Sequence, residues 1–234
     1  MKYTIKRPSA HKLRTQADIV FCVDATESMQ PCIDGVIEGL KRFADGIQSA
    51  AAVDYRLRLI AYRDLHDPTC TVAWDVFDFT SDVGQFRSWL TQIRAHCNQV
   101  HRGAESTLDA IYRAIHSSWR MHKTHKTIVV FTDDNTHPAL HRTTYGRPDN
   151  DVHRVIQDFQ ELRHAMLFVV APKYPLYAQI EKSMKAADRK VVAVWVPEDD
   201  ERYQGLSSVD WGPLMHMLGE VVSATSIVAT TVGT

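Results

Sequence analysis

Five consecutive residues, Ile19 to Val23, are apolar, and Asp24 ends the run. A strand covered on one face alternates apolar and polar side chains, so an unbroken run reads as a strand covered on both faces. The pattern returns at Thr127 to Thr132 (T-I-V-V-F-T), which again stops at acid, Asp133 and Asp134, and at Met166 to Ala171 and Val191 to Val196. Between these runs apolar residues recur at helical spacing. Ile33, Val36, Ile37, Leu40, Phe43, Ala44 and Ile47 predict a helix to about Ala50, with Pro31 near its start as first-turn proline prefers. Further helices are expected around Val83, Phe86, Leu90, Ile93 and Cys97; around Leu108, Ile111, Tyr112, Ile115 and Trp119; and around Val152, Val155, Ile156, Phe159 and Leu162. Another runs from about Pro175 to Ala187, and a last one carries Leu214, Met217, Leu218, Val221 and Val222.

Strands alternating with helices imply an open, mostly parallel sheet with helices on both faces. One pair departs from that rule. Arg56 to Tyr62 and Cys70 to Phe79 both read as strands, and the link Arg63 to Thr69, containing Pro68, is too short for a parallel crossover. It makes a hairpin, with the second strand antiparallel at an edge. The fold class expected is therefore α/β: a doubly wound, mostly parallel six-stranded sheet with one antiparallel edge strand. A lead-in over residues 1–16, one domain over 17–224 and a tail over 225–234 divide the chain.

Composition narrows the function classes. With 27 basic and 28 acidic side chains the net charge is −1, so no overall field selects nucleic acid or an anionic membrane. The four cysteines form no C-x-x-C pair, too sparse a set for a disulfide-stapled secreted domain. Neither a signal-peptide apolar segment nor a run of membrane-spanning length is present, so a cytoplasmic location is expected.

The chemistry starts where the first strand stops. In D-A-T-E-S, a strand end followed by a turn gathers Asp24, Thr26 and Ser28 around one point. One carboxylate and two hydroxyls are hard oxygen donors of the kind Mg²⁺ takes, with room left for water. In a doubly wound sheet, ligands sit beyond the carboxyl ends of the strands, where strand order reverses. Asp133 ends another strand at that edge, and the loop G-A-E-S-T-L-D-A-I brings Ser106 and Thr107 to the start of the third helix. Asp24, Thr26 and Ser28 are also types that cap helices, and Asp133 and Asp134 types that form turns. A cap would not need Thr107 and Asp133 as companions.

These three pieces, D-A-T-E-S, Thr107 before L-D-A-I, and F-T-D-D, resemble the metal-ion-dependent adhesion site of von Willebrand factor type A domains. The resemblance covers about residues 17 to 200 and implies the Rossmann-like fold of that family. It implies a divalent cation, usually Mg²⁺, with Mn²⁺ or Ca²⁺ as alternatives. The hydroxyls of Thr26 and Ser28 would ligate it directly, and Thr107, Asp24 and Asp133 directly or through water. A vacant position would accept a carboxylate from a protein partner. The sequence departs from the commoner pattern at Thr26, in place of serine, and at Glu27 and Asp134, where glycine is usual. Glu27 and Asp134 are thus expected to modulate the metal site.

The long loop 135–150, with its histidines and arginines, marks a functional surface. Asp64, His66, His137, Arg142 and Tyr145 are the residues expected to face a partner. The function expected is divalent-cation-dependent protein binding inside an intracellular assembly, without catalysis, nucleic acid or membrane. The alternative is a metal-assisted hydrolase of phosphoesters using Asp24, Asp133 and a base such as His137. A haloacid dehalogenase-type phosphatase is excluded, because Thr26 stands where the second aspartate is needed. No glycine-rich phosphate loop follows any strand.

Overall fold

β1 (Thr15–Asp24) lies inside the sheet, flanked by parallel β2 (Val53–Tyr62) and parallel β4 (Thr124–Phe131). That position explains its unbroken apolar run. Ile19, Phe21 and Val23 feed one core, and Val20 and Cys22 feed the other. The computed structural model describes residues 15–49, 53–95, 104–121, 124–183, 185–186, 189–196, 206, 209–216 and 218–219. Residues 1–14 of the lead-in, Cys97, the positions Met217, Val221 and Val222 of the last helix, and the tail 225–234 lie outside them.

The strand order is β3-β2-β1-β4-β5-β7-β6. β5 (Ala165–Pro172) and β7 (Arg189–Val196) continue the parallel set beyond β4. β3 (Trp74–Val76) runs antiparallel to β2 at one edge, as the hairpin requires. The six expected strands are present, and a two-residue strand, β6 (Lys185–Ala186), adds an antiparallel pairing at the far edge. α1 (Ile33–Ser49) and α2 (Val83–Leu90) cover one face; α3 (Thr107–Ile115), α4 (Val152–Glu161) and α5 (Pro175–Ser183) cover the other. Residues 211–216 are helical and join the first face through Trp211, whose ring meets Phe131 at 5.6 Å.

Several elements differ in extent from their apolar patterns. The edge strand begins only at Trp74, because Asp67 turns the chain first. Its Oδ1 accepts from the backbone N of Thr69 at 2.8 Å and from the Thr69 hydroxyl at 2.7 Å. α2 stops at Leu90, where the Gln92 amide folds back to the Trp89 carbonyl at 2.9 Å in a tightening last turn. α5 ends at Ser183, since 185–186 pair with β7 instead.

This order fixes where a site forms. β1 is followed by β2 on one side, and the chain later returns to place β4 on the other. The carboxyl ends of β1 and β4 are neighbours at the reversal of strand order.

Candidate functional site at the ends of β1 and β4

Parallel register sets Val23 beside Phe131, so Asp24 and Thr132 leave the sheet together. The Thr132 hydroxyl donates to Asp24 Oδ2 at 2.8 Å. The other carboxylate oxygen, Oδ1, accepts from the Thr26 hydroxyl at 2.7 Å and the Thr26 backbone N at 3.0 Å. The Ala25 amide bonds the Tyr62 carbonyl at 2.8 Å, tying this turn to β2. A short 3-10 turn, Glu27–Met29, then drops Met29 into the core and lifts Ser28 to the surface. Ser28 Oγ lies 3.1 Å from Thr26 Oγ1 and donates to Asp133 Oδ1 at 3.1 Å. Asp24, Thr26, Ser28 and Asp133 thus form one continuous chain of oxygens.

Thr107 is the first residue of α3 and is fully buried, its hydroxyl 3.0 Å from that of Tyr62. Burial, then the Asp24 charge, holds the Tyr62 phenol well above its usual range. The start of α3 is stitched to its surroundings by borrowed caps. Thr136 Oγ1 accepts from the Leu108 amide at 2.9 Å, while Ser106 Oγ accepts from the Leu65 amide at 2.8 Å and donates to Asp64 Oδ1 at 3.2 Å. Hydrogen bonds therefore tie together the loops after β2, before α3 and after β4.

Electrostatically the site is short of positive charge. Burial raises Asp24 to about 6, against the hydrogen bonds from Thr26 and Thr132. Burial and then the Asp24 charge raise Asp133 to about 7, against the bond from Ser28. Among the described residues no lysine, arginine or histidine forms an ion pair with either. No three His, Cys, Asp or Glu side chains among the described residues converge as a metal-binding group. A cation at this point would be held by two carboxylates with hydroxyls of Thr26 and Ser28, a donor set suited to a hard divalent ion. The residues present fit such an ion, because their own fold leaves the paired negative charges unbalanced.

The remaining expected residues fall in different places. Glu27 is exposed on the 3-10 turn. Asp134 Oδ1 accepts from the Asn135 amide at 2.6 Å, closing its own turn, and its charge reaches both Asp24 and Asp133. Of the five residues expected to face a partner, Asp64 does not: it is completely buried, with His137 Nε2 at 2.9 Å from its Oδ1. It is a support for His137, because a carboxylate that accepts from the His66 amide, Ser106 and His137 has turned inward. His66 is exposed and packs its ring against His137 at 4.0 Å and His141 at 4.9 Å. Arg142 is exposed, and half-buried Tyr145 bonds Asp149 and rests on Tyr112 at 5.5 Å.

Sequence reading missed Glu105. It lies two positions before Thr107 and is 3% exposed, with Oε2 lacking any hydrogen-bond partner. Burial, then the charges of Asp24, Asp64, Asp134 and Asp133, push its carboxyl far above the usual range. Its only signal in the sequence was an acid inside G-A-E-S-T, indistinguishable there from a solvated loop residue.

Comparison with known proteins agrees with this architecture. The family profile of the von Willebrand factor type A domain matches residues 18–199. The crystal structure of the SpRpn10 VWA domain is similar in fold, with a TM-score of 0.51 at 14% identity, covering 82% of this chain and 92% of that one. A comparison with curated protein sequences found no match. With its sheet order, its paired strand ends and a profile match over most of its length, the chain belongs to the von Willebrand factor type A domain family.

Proposed function

We propose that this domain binds a protein partner through a divalent cation, Mg²⁺ by preference, held by Asp24, Thr26, Ser28, Thr107 and Asp133. The observation that carries the reading is the contact of Ser28 with Asp133 beside a buried, unpaired Asp24. Two carboxylates that share one point without a basic side chain are stabilised by an outside cation. Neutral hydroxyl ligands leave that cation positive enough to attract a partner's carboxylate, while Glu27 and Asp134 temper the attraction. His66, His137, Arg142 and Tyr145 frame the approach. The domain is a cytoplasmic component of a multi-protein assembly and performs no catalysis. Among the described residues no helix is long and apolar enough to cross a membrane.

Calorimetric titration with Mg²⁺ tests the site. The wild type is expected to bind one ion, and the Asp24→Ala/Ser28→Ala variant none. Equal binding by both would remove the assignment. Phosphoester turnover that depends on Asp24 would replace the binding module with a hydrolase.

A further inference from the structure

β3 ends the sheet, and among the described residues β2 is its only neighbour. In an antiparallel ladder every second residue turns its amide and carbonyl to the adjoining strand. The Phe77 amide donates to the Leu59 carbonyl at 3.0 Å, and the Ala73 carbonyl accepts from the Arg63 amide at 3.0 Å. Asp75 lies between these positions, opposite Ala61, so Trp74 and Val76 turn their amides and carbonyls away from β2. Among the described residues no strand pairs with those outward groups. The two faces beside this edge differ. On the α3 face Trp74 rests on Tyr62 at 6.4 Å, with the Arg113 guanidinium 4.5 Å from its ring, and Val76 is exposed. Arg58 lies 5.9 Å from the Phe79 ring and donates from Nε to the Phe77 carbonyl at 3.0 Å. Neither Arg58 nor Arg113 forms an ion pair among the described residues. Asp78, whose charge reaches Arg58, spends Oδ1 on the Phe79 amide at 2.8 Å and the Ser118 hydroxyl at 3.4 Å. Burial draws the Arg58 guanidinium down, against the charge of Asp78, and the Arg113 charge adds to the fall. Two like charges thus share one corner. On the opposite face half-buried Phe77 stacks on Trp89 at 5.0 Å.

We propose that β3 is a docking edge for an extended acidic segment of a protein partner, which joins the sheet as a further strand. The backbone of that segment takes the outward amides and carbonyls of Trp74 and Val76. Its side chains alternate between the two faces of the sheet. Acidic residues therefore meet Arg113 and Arg58 on the α3 face, and apolar residues meet Phe77 on the other. A second copy of this chain fits the edge poorly. Antiparallel self-pairing centred on β3 sets Asp75 against Asp75 and gathers both sets of arginines on one face. Single-stranded nucleic acid offers anions to the arginines but no ladder of amides to the outward carbonyls. The contact needs no cation, so it is independent of the site at the ends of β1 and β4.

The test is fluorescence anisotropy of the whole chain in EDTA with a short labelled peptide that alternates valine with glutamate. A valine–lysine peptide and an oligothymidylate of matched length are the comparisons. The glutamate peptide is expected to bind at least about tenfold more tightly than either. Arg113→Gln should lose most of that preference. Val76→Pro removes an outward amide, a change that edge strands tolerate, and should weaken the glutamate peptide at least about tenfold. Both variants should melt near the wild type and leave its Mg²⁺ titration unchanged, which separates this edge from the cation site. Hydrogen exchange at the amides of Trp74 and Val76 should slow when the peptide is added. If Val76→Pro unfolds, Arg113→Gln and the exchange at these amides decide. Equal binding of the two peptides, tighter binding of oligothymidylate, or exchange at Trp74 and Val76 that the peptide leaves unchanged overturns the proposal. Exchange there that slows with protein concentration alone assigns the edge to a second copy and overturns it as well.

Discussion

Ser28 Oγ donates to Asp133 Oδ1 at 3.1 Å, although 105 residues separate them. The bond closes the gap between the ends of β1 and β4 on the solvent side. Thr132 closes it on the buried side, through its hydroxyl on Asp24 Oδ2 at 2.8 Å. Two hydroxyls therefore bridge the same pair of strands in opposite environments, and their substitutions should differ in cost.

Ser28→Ala removes an exposed hydroxyl, and its cost to stability should stay within about 0.5 kcal/mol. Thr132→Val removes a buried donor from a buried carboxylate and should cost about 1–3 kcal/mol. Urea unfolding without added cation measures both. Under the proposed function Ser28→Ala still weakens Mg²⁺ binding in calorimetry, so affinity and stability separate in that variant. A Ser28→Ala variant that loses stability as Thr132→Val does would make Ser28 a structural residue only.

Two glycines of α1 face different surroundings. A Cβ at Gly35 would lie 2.8 Å from Trp211 Nε1, whereas one at Gly46 would meet nothing within 4 Å. Replacing a helical glycine by alanine ordinarily stabilises by roughly 0.5–1 kcal/mol. Gly46→Ala should show that gain. Gly35→Ala should lose stability, since the rigid indole ring must shift out of its place against Phe131. In the background of Trp211→Ala the penalty at Gly35 should disappear. Melting temperatures of the four variants decide it.

At the opposite end of β1, Asp18 is completely buried and held by two arginines. Arg56 donates through Nε at 3.0 Å and Nη2 at 2.6 Å, and Arg120 through its backbone N and its Nε, both at 2.8 Å. Arg120 also reaches Asp54 Oδ2 at 2.7 Å, so the cluster ties β1, β2 and the segment after α3 together. The arginines are partly exposed, which lets water soften the loss of their partner. Asp18→Ala should therefore cost about 2–3 kcal/mol, below the full value for breaking a buried pair. Denaturant midpoints measure this, and 1 M salt should leave most of the difference in place, because the carboxylate is shielded from solvent.

Much of this architecture was legible because it rests on local rules. The apolar run Ile19 to Val23 required a strand covered on both faces, and β1 has neighbours on both sides and helices above and below. The short Arg63-to-Thr69 link required a hairpin, and β3 is antiparallel. The meeting of Asp24, Ser28 and Asp133 was likewise expected from strand ends and turn residues. What the sequence hid depends on which polar groups fold inward. Asp64, in a polar loop with two histidines, reads as solvated, yet three donors draw it into the interior. Glu105 reads as a loop acid, and only the backbone bridge between residues 105 and 136 buries it. Neither bridge nor donors leave a periodic trace in the sequence. The short β6 is hidden for a related reason, since its pairing with β7 overrides the helical spacing of the residues before it.

His125 in β4 gives the fold a pH dependence of its own. The residue is 9% exposed, its Nε2 has no hydrogen-bond partner, and the His164 ring lies 6.2 Å away. Burial, then the charges of His164 and Lys126, lowers its pKa from 6.5 to about 4. Below pH 6.5 the unfolded chain takes up a proton that the native protein refuses until about pH 4. The unfolded state binds more protons throughout that window, so stability is full above it, falls as the pH drops through it and levels off below it. The loss attributable to this one residue should reach about 3 kcal/mol. His125→Leu removes the titrating group and fills the same half of the strand with apolar volume. Its stability, measured by urea unfolding from pH 7.5 to 4.5, should decline less than that of the wild type by most of that amount. A wild type and variant that decline in parallel would assign the acid sensitivity to other groups and leave His125 protonating as freely in the native protein as in the unfolded chain.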